Sequence, residues 1–72
     1  MKKNIYVDYN EDNEIWRVRP FRGKVYYESK LLIMVILRGA IDAYSNKVRM
    51  LWWNKRNLLA GSLSFNDESL GE

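Results

Sequence analysis

Ten basic side chains lie between residues 15 and 60 of this 72-residue chain. Arg17, Arg19, Arg22 and Lys24 are close in sequence, and paired strands would bring Tyr6 and Tyr26 beside them. Guanidinium groups grip phosphate and aromatic rings stack on bases, so this set has the composition of a nucleic-acid surface. A second set is Arg49, Trp53 and Arg56, at i, i+4 and i+7. On a helix that spacing puts all three on one flank. A tryptophan between two arginines has the composition of a protein-binding hot spot.

The chain contains no cysteine and no histidine. Thiolate nucleophiles, disulfides, the usual zinc ligand sets and imidazole acid–base chemistry are therefore excluded. Arg22-Gly23-Lys24 is too short for a phosphate-cradling loop. Glu11, Asp12 and Glu14 lack the glycine and the ligand spacing of a calcium loop. Leu37 to Ser45 resembles the helix motif of LAGLIDADG homing endonucleases at Leu37, Gly39, Ile41, Asp42 and Ala43. Tyr44 stands where such enzymes place their metal-binding acid, and the chain is too short for that family's sheet. The expectation is a binding protein and not an enzyme, with no cofactor and no metal.

Charge is unevenly spread. Residues 1–14 set Lys2 and Lys3 against Asp8, Glu11, Asp12 and Glu14, a net −2. Residues 15–60 set ten basic groups against Glu28 and Asp42, a net +8. Residues 61–72 carry only Asp67, Glu68 and Glu72, a net −3. A basic middle favours an anionic partner, unless the acidic ends fold back on it.

The elements that must position these groups follow from periodicity. Ile5, Val7 and Tyr9 alternate with Tyr6 and Asp8, and Trp16 and Val18 alternate with Arg17 and Arg19. Period two predicts two strands joined by the polar turn Asn10–Asn13, a β-hairpin. Pro20 should end the second strand. Lys24 to Glu28 reads as a third strand, placing Tyr26 with the outward residues. Ser29 suits a helix N-cap, and Lys30 to Tyr44 reads as a helix with Gly39 as its weak point. Val48, Leu51, Trp52, Leu58 and Leu59 fall on one helical stripe, so Asn46 to Ala60 reads as a second helix, or as the continuation of one long helix, with Gly61 as its C-cap. The expected fold is α+β: a three-stranded antiparallel sheet with two helices, or one long helix, packed on one face. Residues 1–61 would form the domain. Residues 62–72 would form an acidic tail, anchored by Phe65 and capped by Ser64 with Asp67.

Leu31 to Leu37 is apolar all round, so a helix there must be covered on every side. The cover could come from the second helix, the tail or another copy of the chain, which makes a homodimer through this helix one expectation. The run is too short to span a bilayer, so no membrane partner is expected. Absence of cysteine fits a cytoplasmic site. The partner is then nucleic acid, met by the sheet, or a host protein, met by the Arg49–Trp53–Arg56 patch. The second case describes a small inhibitor of phage or mobile-element type, aimed at a nuclease or a defence complex.

Overall fold

The computed structural model describes residues 3–65. Five strands and one helix follow in the order β1 (Ile5–Asn10), β2 (Ile15–Pro20), β3 (Tyr27–Ser29), α1 (Leu32–Asn46), β4 (Arg49–Trp53) and β5 (Leu59–Ser64). The strands form one mixed sheet in the order β3-β2-β1-β4-β5. The first hairpin is as its alternation predicts. Val7 lies opposite Val18, Tyr9 opposite Trp16, and Tyr6 opposite Arg19. Asn10 closes the turn by accepting the Asp12 N–H at 3.1 Å, and Glu14 completes it with a left-handed φ of 53°. β3 begins later than expected, at Tyr27, and pairs only with β2.

The carboxyl half differs from the expectation. The three-stranded sheet with two helices, or with one long helix, is replaced, among the described residues, by a five-stranded mixed sheet with one helix. Helix α1 stops because Lys47 turns left-handed at φ 55°. Its N–H bonds the Tyr44 carbonyl at 3.2 Å, and the Val48 N–H bonds the Ala43 carbonyl at 3.0 Å. This closure is usually made by glycine. Past it, Val48, Met50 and Trp52 alternate with Arg49, Leu51 and Trp53, and period two prevails over the overlapping helical stripe. Asn54 then builds a turn: its Oδ1 accepts the N–H groups of Arg56 and Leu58 at 2.9 and 3.1 Å. Asn57 supplies the left-handed residue at φ 63°. β5 returns antiparallel to β4. The sheet continues past residue 61 to Ser64, while Asp67 and the rest of the expected acidic tail lie outside the described residues.

β4 joins the sheet parallel to β1, with Ile5 beside Met50 and Val7 beside Trp52. A parallel neighbour cannot be reached by a tight turn and needs a crossover. Helix α1 provides it, about 22 Å long at 1.5 Å per residue. It crosses one face of the sheet and lays Val35, Gly39 and Ala43 on it. The core is Ile5, Val7, Trp16, Val18, Val35, Ala43, Val48 and Met50, with Met50, Val7, Val18 and Val35 wholly enclosed. Gly39 is a contact point more than a weakness. A Cβ there would lie 2.7 Å from the Met50 sulfur and 3.2 Å from Val7 Cγ2, so its absence lets the helix sit low on the sheet.

Gly61 is not a helix cap. It lies under the Trp52 indole, where a Cβ would come within 2.8 Å of Cε2. Gly61→Val should therefore displace the indole and cost about 1–3 kcal/mol, as overpacking does. Urea denaturation followed by circular dichroism measures this, and an unchanged midpoint would mean that the ring does not rest there.

Candidate nucleic-acid interface

Helix α1 covers one face of the sheet. Alternation places Tyr6, Asp8, Arg17, Arg19, Arg49, Leu51 and Trp53 on the other. Tyr6 is central on this face. Its ring lies 5.1 Å from that of Trp53 and 5.6 Å from that of Phe21, both tilted. The Arg19 guanidinium stands over it, 5.3 Å from the ring centre. Tyr6 and Trp53 are half-buried, so part of each side chain meets solvent. A tilted aromatic pair of this kind is a ready stacking surface.

Asp8 organises the cations. It accepts from Arg17 Nε at 3.0 Å and lies 3.5 Å from Arg19 Nε. Arg17 is directly opposite Asp8 across the β1–β2 ladder, and Arg19 is the next residue of β2 on the same face. Glu28 faces Arg17 across the β2–β3 ladder, yet the Arg17 guanidinium turns to Asp8. One carboxylate thus holds two guanidinium groups, fixes their direction and leaves one positive charge uncompensated. Arg22 and Lys24 extend the basic rim on the loop after β2, and both are exposed. Arg22 sits at φ 58° with its guanidinium 5.0 Å from the Phe21 ring centre.

No family model, curated protein or solved structure matches this chain.

Of the six residues expected to bind nucleic acid, the structure brings Tyr6, Arg17 and Arg19 together on the helix-free face and puts Arg22 and Lys24 on the adjoining loop. Tyr26 does not join them. It precedes β3, and its hydroxyl donates to Asp42 of α1 at 2.6 Å, on the helix side. Arg38 donates to the same Asp42 oxygen at 3.1 Å and stacks over the rings of Tyr26 and Tyr27. The other expected patch is divided. Arg49 and Trp53 are on strand β4 instead of a helix, and they face the same way as Tyr6. Arg56 is in the β4–β5 turn and borders an open groove of about 460 Å³ with Trp16, Leu32 and Leu58. Trp53 packs on Tyr6. Leu51 and Phe21 carry no charge to mark them in the sequence, yet both lie beside the aromatic pair. Among the described residues, no cluster of acids suited to a metal ion is found.

Tyr26 titrates unusually. Burial raises its pKa above the ordinary value near 10, and the hydrogen bond to Asp42 and the charge of that carboxylate raise it further, against a smaller opposing effect of Arg38. The folded state therefore keeps this proton where the unfolded chain loses it. The resulting stability is fully present below about pH 10 and declines as pH rises from there toward the folded value. In an alkaline titration followed at 295 nm, Tyr26 should ionise in a late step above the ordinary tyrosine range, and Tyr26→Phe should remove that step. A late step that survives the substitution would assign it to another ring.

Proposed function

We propose that the helix-free face of the sheet binds single-stranded nucleic acid. The observation that carries this reading is the Tyr6–Trp53 pair, 5.1 Å apart on a basic-rimmed sheet face that no described element covers. Bases stack on these two rings, with Phe21 and Leu51 extending the apolar floor. Arg19 and Arg17, aimed by Asp8, meet phosphates on one side, Arg49 meets them on the other, and Arg22 and Lys24 hold the strand beyond the sheet. An open strand suits this face better than a duplex, because rings lying against a sheet need bases that are already unstacked. The cytoplasm is the proposed site, in keeping with a chain that uses no cysteine.

Among the described residues, about four cations on this face have no acidic partner, counting the Arg17–Arg19 pair as one. Binding measured by fluorescence anisotropy of a labelled oligonucleotide should then weaken with salt at a log–log slope of about −3, by the single-strand rule of ~0.7 per phosphate neutralised. Binding that ignores salt, or none at 50 mM salt, would reject the reading.

A protein partner on this same face is the second reading, as for an inhibitor of a host nuclease. One observation favours it: Asp8 cancels half the charge of Arg17 and Arg19. This leaves an aromatic and arginine surface of the kind that anchors protein interfaces.

A further inference from the structure

The helix was expected to be covered on all sides, and the sheet covers only one. Ile33, Leu37, Ile41 and Tyr44 remain 61%, 51%, 60% and 70% exposed, with Leu31 and Met34 beside them. Tyr44 stays open although Phe65 stacks edge-on against it at 5.8 Å. Two features say what covers this face. The first is spacing. Met34, Leu37, Ile41 and Tyr44 are separated by 3, 4 and 3 residues. That is the a/d repeat by which one helix seats its knobs in another helix, over two heptads of a 15-residue element. The second is area. The six exposed side chains present roughly 700 Å² of apolar surface, more than a monomer usually shows and close to the ~800 Å² per partner of a stable pair. Residues 66–72 could not match this seam in kind, because Leu70 is their only large apolar side chain.

We infer that the outer face of α1 is the contact between two copies of this chain. The contact is isologous: the Met34–Leu37–Ile41–Tyr44 seam of one protomer packs on the same seam of its partner about a two-fold axis. The two helices form the central layers of the dimer, and the two sheets lie outside them. Each Tyr6–Trp53 face therefore stays open, on opposite sides of the assembly. This inference stands independently of what that face binds.

Sedimentation equilibrium of the wild-type chain over a range of micromolar concentrations tests it without any variant. A mass of twice 8.6 kDa at the upper end, dissociating on dilution, is expected. Leu37→Glu/Ile41→Glu places charge only at exposed positions, so it should give an 8.6 kDa species with an unchanged circular dichroism spectrum. A wild-type chain that stays monomeric throughout overturns the inference. So does a double variant that is folded and still dimeric, which would put the contact elsewhere. Co-sedimentation of a monomeric wild-type chain with phosphatidylcholine–phosphatidylglycerol vesicles would assign the face to a lipid surface instead.

Discussion

Trp53→Ala is expected to weaken single-stranded oligonucleotide binding by about 5- to 150-fold, the equivalent of one lost stacking contact at ~1–3 kcal/mol. Tyr6→Ala should have an effect of the same size, since each ring supports the other at 5.1 Å. The two losses should fall short of additive when combined, because removing either ring also unseats its neighbour. Arg19→Ala should act differently. It removes a phosphate contact and also the cation over the Tyr6 ring, so the salt slope becomes shallower by about 0.7 while affinity falls. Anisotropy titrations of the four variants at two salt concentrations separate these effects. A Trp53→Ala protein that binds as tightly as the wild type would remove the stacking platform from the proposal.

The second large effect concerns the carboxyl half. Met50 is wholly enclosed and touches the space left open by Gly39, whereas Leu51 next to it is half-buried on the opposite face. Met50→Ala should therefore cost about 2–5 kcal/mol, and Leu51→Ala about 1 kcal/mol. A core of this size supplies only ~3–5 kcal/mol in total, so the Met50 variant should lose most of its stability and unfold well before the Leu51 variant. Thermal and urea denaturation of the pair decide between strand and helix. On a helix carrying the stripe Val48, Leu51, Trp52, Leu58 and Leu59, Leu51 would be the sensitive position and Met50 the tolerant one. The strand reverses that order.

This pair of residues also shows where sequence reasoning stopped. The first hairpin was readable because its alternation is uncontested: Ile5, Val7, Trp16 and Val18 have no helical spacing to compete with it. In residues 48–59 the two periods overlap, since Val48, Leu51 and Trp52 satisfy a helix while Val48, Met50 and Trp52 satisfy a strand. Two local signals favoured the strand. Asn54 and Asn57 bracket a turn, and three consecutive large residues, Leu51-Trp52-Trp53, suit a sheet whose faces are both used. The end of α1 was harder to see, because lysine and not glycine occupies the left-handed position there. Gly61 attracted the cap assignment although its requirement is set by a tryptophan in a neighbouring strand. That requirement is tertiary and has no local signature.

The candidate site followed the same division. Outward placement of Arg17 and Arg19 follows directly from the period of β2, whereas Asp8 as the group that holds both is seen only in the register of the folded hairpin. Tyr26 was misplaced because β3 starts one residue after it, which lets the ring turn to Asp42 of the helix. Trp53 was assigned to a separate surface because a helical reading of residues 46–60 points it away from the sheet. As a strand residue it returns to Tyr6, and two weak surfaces become one stronger one.

The three tryptophans offer the most direct test of that surface. Trp16 is buried beneath the helix and Trp52 lies over Gly61 on the same side, while Trp53 alone belongs to the helix-free face. Their indole N–H resonances can be followed together in a 15N-labelled sample as a short single-stranded oligonucleotide is added. Movement of the Trp53 signal, with those of Trp16 and Trp52 nearly stationary, is the expected result. Three unmoved signals at saturating oligonucleotide, or shifts confined to Trp16 and Trp52, would contradict it.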